Sequence, residues 1–220
     1  RTEIKFAEDR LKAALHEKVT LLQEIHHRVK NNMQSISSLL YLQSKKIEDE
    51  QAKAIFNECR NQVRSMALIH DKLYQSPDFI NIYYFKNYIN DLIKDLCIAY
   101  NIDGQKINFN VRVGNISLFI DYAVTLGLIL NELISNTLKY AFPSSWKGTG
   151  NVEILLDRDS EGKTQFIYKD NGIGLPKNFD PNQTDSLGLT LVKNLAENQL
   201  EGRIDIKTDT GLEYNISFKK

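Results

Sequence analysis

The first 76 residues contain neither glycine nor proline, and this absence limits the possible folds more than any other feature. Those two residues are the strongest interrupters of a helix, so the stretch is expected to run as long continuous helix until Pro77. Apolar residues recur at alternating three- and four-residue spacing, at Leu11, Leu15, Leu22, Ile25, Val29, Ile36 and Leu39, with Leu40 and Leu42 beside them. That is the seam of a coiled coil or a helical bundle. After the charged run KKIEDEQ a second pattern follows, with Ala52, Ile55, Phe56, Cys59, Val63, Met66, Ile69 and Leu73. Two amphipathic helices joined by a polar turn predict an antiparallel hairpin. A lone hairpin buries its stripe poorly, so two copies are expected to pair as a four-helix bundle in a homodimer.

Beyond Pro77 the pattern changes, and a second domain is expected over 77–220. FKNYINDLIKDLCIAY reads as a helix, Asp103-Gly104 as a turn, and KINFNVRV alternates like a strand. A long helix is predicted from Asp121 to Phe142, stopped by Pro143. NVEILLDRD and TQFIYKD predict a hairpin about Glu161-Gly162, residues 187 to 200 a helix capped near Gly202, and RIDIKTDTGLEYNISFKK a last strand pair about Thr210-Gly211. Strands and helices in this order imply an α+β sandwich, a mostly antiparallel sheet with helices on one face.

Composition excludes several classes of function. Lys+Arg and Asp+Glu both total 28, so no net field gathers a polyanion, and no basic stripe is present to track nucleic acid. Cys59 and Cys97 lack metal-ligand spacing and form no disulfide framework, which fits a reducing cytoplasm. No apolar run reaches the roughly 18 residues of a membrane span, and no signal peptide is visible. The chain begins at Arg1 and is expected to be a fragment, with any membrane anchor upstream.

Three segments of the second domain can carry chemistry. In NELISNTLKYAF, Glu132, Asn136 and Lys139 or Tyr140 fall three to four residues apart on one helical face, while Leu130, Leu133, Ile134 and Leu138 serve the core. A carboxylate, an amide and an ammonium on one face can hold a hydrated Mg²⁺ with its phosphates, because Mg²⁺ keeps most of its waters and needs only one or two protein oxygens. DNGIGLP follows a strand; its glycines permit close backbone approach to a flat ligand, and Asp170 can accept a hydrogen bond from an exocyclic amine. SLGLTLV places Gly188 where a helix opens, with free amides suited to a phosphate. Alone, the helix segment is better read as a solvated face, and each of the two glycine segments could be an ordinary turn. Their order along one domain gives the set its weight.

In these motifs residues 77–220 resemble the ATP-binding domain shared by histidine kinases, gyrase-type topoisomerases, Hsp90 chaperones and mismatch-repair ATPases, the Bergerat or GHKL fold. NELISNTLKYAF resembles the N box, DNGIG the G1 box, SLGL a shortened G2 box, and TDTG the last nucleotide-contacting loop. The resemblance implies ATP and Mg²⁺. Asn136 would ligate the metal, Asp170 would read the adenine amino group, and Gly172 and Gly174 would shape the pocket. Lys139, Tyr140, Ser186, Leu187, Gly188 and Thr210 would line the nucleotide site, with residues 175–186 as its lid. EIHHRVKNNMQSISSLLYLQ resembles the histidine-bearing helix of a sensor histidine kinase subfamily marked by HRxKN, and residues 1–20 the coiled coil that follows a sensor module. Residues 1–76 would then be the dimerisation and phosphotransfer hairpin.

Periodicity separates the two adjacent histidines. With Val29 at the seam centre and about 100° per residue, His26 falls roughly 60° from the seam and His27 roughly 160°, so His27 faces outward and is the expected phosphoryl acceptor. A neutral imidazole, with an ordinary pKa near 6.5, offers a free lone pair for in-line attack on the γ-phosphoryl. The next residue is Arg28, which cannot act as a base, so activation would fall to Glu132, by analogy with the water-activating Glu of the related ATPases. Asn31, on the same face as His27, is placed to hold a water for dephosphorylating the partner. The reading is a two-component kinase core that phosphorylates His27 and passes the group to an Asp of a response regulator. The alternative is an ATPase of the same fold whose helices serve only for dimerisation.

Overall fold

The computed structural model describes residues 2–73, 79–102, 106–175, 187–208 and 211–219. The chain divides into two compact units, Arg1–Gln75 and Ser76–Lys220, one residue from the boundary expected at Pro77.

The first unit is the predicted hairpin. Helix α1 (Thr2–Ser44) and helix α2 (Glu50–Leu73) are uninterrupted; at 1.5 Å per residue α1 is about 65 Å long. The turn between them is built by its own polar residues. Ser44, buried, donates to the Tyr41 carbonyl at 2.9 Å, and the Asp49 carboxylate accepts the Ala52 N–H at 2.6 Å as an N-cap. The single seam expected from the sequence splits into two rows. Val29, Lys30, Met33, Ser37, Leu40 and Ser44 are half-buried or buried, whereas Leu21, Ile25, Ile36, Leu39 and Leu42 stay exposed, as does Ile55 on α2. The hairpin covers one stripe of α1 and leaves the more apolar one open, because a helix with apolar residues on two sides cannot bury both against one neighbour.

In the second unit a five-stranded sheet has the order β2-β4-β5-β7-β6: β2 (Ile107–Val113), β4 (Gly150–Arg158), β5 (Thr164–Asp170), β6 (Arg203–Lys207) and β7 (Leu212–Phe218). Only the β2–β4 pair is parallel, so the mostly antiparallel sheet holds. Two short strands absent from the sequence reading, β1 (Phe79–Asn81) and β3 (Ser117–Phe119), pair separately. Helices α3 (Ile82–Ala99), α4 (Ile120–Asn136) and α5 (Leu187–Asn194) supply the helical layer. Val152, Ile154 and Leu156 of β4, Phe166 and Tyr168 of β5, and Tyr214, Ile216 and Phe218 of β7 alternate onto the buried face with Leu126, Ile129, Leu130 and Leu133 of α4. The opposite sheet face is polar: Glu213 bridges Lys169 at 3.0 Å and Lys207 at 3.2 Å.

Candidate nucleotide pocket and phosphoacceptor helix

The predicted helix from Asp121 to Phe142 is regular α-helix only to Asn136. Thr137–Ala141 then widens into a π-helical turn, a local form that often marks functional positions in helices. This turn and the end of β5 frame a cavity of about 440 Å³, within the range of small-molecule sites. Its apolar wall comes from Leu133, Ala141, Ile173, Leu189 and Leu212, and its polar groups from Asn136, Thr137, Tyr168, Asp170 and Tyr214.

Strand alternation places Asp170. It lies two residues beyond Tyr168 and four beyond Phe166 on the inward face of β5, so a carboxylate continues a row of core aromatics. Burial raises its pKa, and that shift is opposed by bonds from the Gly172 N–H at 2.9 Å, the Thr137 hydroxyl at 3.1 Å and the Leu212 N–H. The hydroxyls form a relay, in which Tyr168 donates to Thr137 Oγ1 at 2.8 Å and Thr137 donates to Asp170 Oδ2. Burial pushes the Tyr168 phenol well above its ordinary value, so Tyr168 stays a donor. Gly172 is required by close approach. A Cβ there would sit 2.5 Å from that of Ala141 and 2.6 Å from its carbonyl oxygen, the group that accepts the Ile173 N–H. Gly174 adopts φ +67° and stands against the Gly211 carbonyl, a left-handed geometry that favours glycine.

Asn136 is half-buried on the cavity wall and donates its Nδ2–H to Glu132 Oε1 at 3.1 Å. Glu132 is 5% exposed. The sequence makes Glu132 the expected activator of the attacking group; its carboxylate lies against the Asn136 amide and the Cα of Gly188. Glu132 Oε1 thus fills the space that a side chain at 188 would take. Lys139 is exposed and lies over the Tyr100 ring, 5.8 Å from its centroid, and it does not line the cavity. Tyr140, 63% exposed, does. Leu187 opens α5, and Leu175, the first residue of the expected lid over 175–186, lines the cavity; Ser186, Thr210 and the rest of that lid lie outside the described residues. Among the described residues no three His, Cys, Asp or Glu side chains gather as a metal site. The donor set fits Mg²⁺ nonetheless: with Nδ2 committed to Glu132, the Asn136 amide oxygen is the atom left to face the cavity, and one such oxygen suffices for a hydrated Mg²⁺. Sequence reasoning missed Thr137, Tyr168 and Tyr214. Their only signal is a polar atom on an otherwise apolar inward face.

On α1, His27 is exposed. Counting about 100° per residue, it stands roughly 100° from the covered row centred on Met33 and Ser37, and roughly 150° from the uncovered row of Ile25, Ile36 and Leu39. It thus points in a third direction. Arg28 folds back along the helix, with Nη2 at 2.6 Å and Nε at 3.1 Å from Glu24 Oε1. Asn31 is exposed, and its carbonyl accepts the Ser35 hydroxyl at 3.0 Å. The side chain of His26 lies outside the described residues.

Comparison with known proteins matches two successive regions of the chain, the first of which extends past the hairpin into α3. A histidine kinase family model matches residues 24–100, and the model for histidine kinase-, DNA gyrase B-, and HSP90-like ATPases matches residues 121–220. Among curated proteins, the sensor histidine kinase PdtaS of Mycobacterium tuberculosis (strain CDC 1551 / Oshkosh) is 32% identical over 94% of this chain and 39% of its own length. The PdtaS of Mycolicibacterium smegmatis is 34% identical over 92% of this chain and 39% of its own. The chain thus spans about two fifths of the length of these relatives. Among solved structures, the histidine kinase domain of the Erythrobacter litoralis EL346 blue-light activated kinase superposes with a TM-score of 0.60 at 20% identity. That match covers 84% of this chain and 95% of the other, a likeness of fold.

Proposed function

Since the chain belongs to the histidine kinases, with residues 24–100 matching a histidine kinase model and 121–220 the related ATPase model, we propose that it takes the γ-phosphoryl group of ATP onto His27. From there the group passes to an Asp on the receiver domain of a response regulator. The observation that carries this reading is the outward direction of His27, away from both apolar rows, in a chain that also holds a cavity floored by a buried carboxylate.

In this reading the adenine ring enters between Leu133, Ile173, Leu189 and Leu212, and its exocyclic amine donates to Asp170. Thr137, Gly172 and Leu212 already hold that carboxylate, so the acceptor is oriented before the nucleotide arrives. The phosphates extend toward the Asn136 end of α4. Mg²⁺ on the Asn136 amide oxygen would neutralise charge on the terminal phosphates and hold them for in-line transfer. Lys139 and Tyr140, on the exposed side of the π-turn, would approach the triphosphate. Imidazole attacks with its unprotonated ring nitrogen and the other carries the proton, so transfer needs no strong base. Asn31, one turn along from His27, would order the water that removes the phosphoryl group from the regulator.

Leu21, Ile25, Ile36, Leu39 and Leu42 support a homodimer: five exposed large apolar side chains on one helix are more than a solitary surface normally carries, and a second hairpin would cover them as a four-helix bundle. No helix among the described residues is long and apolar enough to cross a membrane. A cytoplasmic setting for this portion, downstream of a sensor module, follows from its use of ATP. The test is labelling with γ-³²P ATP and Mg²⁺ in wild type, His27→Gln and His26→Gln. Acid-labile, base-stable label that His27→Gln abolishes and His26→Gln retains is expected. Label that survives in His27→Gln would refute the assignment, and ATP turnover without protein label would favour an ATPase with a dimerisation arm.

A further inference from the structure

We propose that Glu132 is a positioning residue, which orients the Asn136 amide and braces the first turn of α5 against α4, rather than a base that takes a proton. The inference rests on the reading of Asn136 as the metal-facing residue and specifies what holds it there. Glu132 and Asn136 are one helical turn apart, and Glu132 Oε1 accepts the Asn136 Nδ2–H at 3.1 Å. A carboxylate only accepts, so this bond forces the nitrogen side of the amide toward Glu132 and turns Oδ1 to the opposite side. An Asn without such a partner could present either end to a cation.

The same oxygen lies against the Cα of Gly188. A methyl group there would overlap Glu132 Oε1 and stand 2.8 Å from Cδ. Glycine at 188 therefore makes room for the carboxylate near the start of α5, the end whose helix dipole favours a negative charge. Glu132, at 5% exposure, is enclosed by the two groups it holds, and this enclosure argues against proton transfer to an attacking group. Orientation of the ligand amide and seating of α5 thus depend on one carboxylate.

The test compares equilibrium affinity for the non-hydrolysable analogue adenylyl imidodiphosphate, by titration calorimetry on the whole chain, in Mg²⁺ and in EDTA. The ratio of the two affinities is the metal contribution. Outer partners of metal ligands typically control metal affinity by about 10- to 100-fold. Glu132→Ala is expected to lower the ratio by that amount, with a smaller loss of affinity in EDTA, because Asp170 still reads the amine while Leu189 on the less firmly seated α5 is one part of the adenine wall. Glu132→Gln should keep the ratio, since its amide oxygen still accepts the Asn136 N–H. Gly188→Ala, whose methyl displaces the Glu132 side chain, should behave like Glu132→Ala, and the double variant should be no worse than either single one. A ratio unchanged in Glu132→Ala but lost in Asn136→Ala overturns the inference and leaves the metal reading standing. A ratio that survives Asn136→Ala removes both. Glu132→Gln failing as badly as Glu132→Ala, additive losses in the double variant, or affinity lost equally in EDTA would each overturn the positioning role.

Discussion

Asp170→Asn separates recognition from stability. In the wild type, the carboxylate accepts from the Gly172 N–H at 2.9 Å and the Thr137 hydroxyl at 3.1 Å, and from the Leu212 N–H, while burial raises its pKa. An asparagine fits the same volume. Its oxygen can keep the Gly172 N–H, and its NH₂ can donate to Thr137 Oγ1 once that hydroxyl rotates. Because the folded-state pKa is raised, the wild type's stability from this group is fully present below the ordinary Asp value of about 3.9 and is lost as pH rises through the raised value. Asparagine carries no charge to bury and lacks that loss. At pH 7 the variant is therefore expected to be at least as stable as the wild type, with a flatter stability profile above about pH 4. Toward the nucleotide the change is adverse, since a donor now faces the exocyclic amine. The charge-assisted bond lost is worth about 1.5–3 kcal/mol, or roughly a 10- to 150-fold weaker ATP affinity. Calorimetry measures the affinity, and urea unfolding followed by Trp146, the sole tryptophan, reports the stability of the second unit. ATP affinity unchanged in the variant, or lost only in step with a loss of stability, would refute the adenine-reading role.

Thr137→Val keeps the shape and removes two hydrogen bonds, from Tyr168 and to Asp170; at about 0.5–1.5 kcal/mol each, softened by the Leu133 carbonyl that Tyr168 can still reach, the variant is expected to be destabilised by about 1–2 kcal/mol, and an unchanged urea midpoint would contradict the relay. Gly172→Ala sets a methyl against the Ala141 backbone and is expected to cost about 1–3 kcal/mol through displaced backbone, together with weaker nucleotide binding measured by calorimetry. Leu39→Asp, in the uncovered row at 59% exposure, should yield a monomer by light scattering with unchanged helical circular dichroism. A wild type that is already monomeric would contradict the bundle.

The hairpin was legible because its signal is an absence: without Gly or Pro before Pro77, little competes with helix. Its partition was not. Periodicity groups Ile25, Val29 and Ile36 in one seam, whereas the structure half-buries Val29 and exposes the other two, because only tertiary contact decides which side of a doubly apolar helix a neighbour takes. In the second unit, Asn136 and Asp170 could be found from motif spacing, and Gly172 from its place in DNGIG. Thr137 and Tyr168 could not, since a hydroxyl at an inward position resembles any core residue until the strand and helix that share it are seen together. The short strands β1 and β3 escaped for a related reason, as three residues give too little alternation to recognise. Glu132 could be found from its helical face, but its neighbours could not, because sequence does not show that Gly188 of a later helix closes over its carboxylate.

The central claim is that His27 carries the phosphoryl group. The most direct measurement is tandem mass spectrometry at neutral to alkaline pH of the peptide containing both His26 and His27, after incubation of the chain with ATP and Mg²⁺. A phosphoryl adduct on the His27 imidazole, absent when Mg²⁺ is chelated, is the predicted result. An adduct on His26, on a Ser of α1, or on neither histidine while ATP is consumed would contradict it.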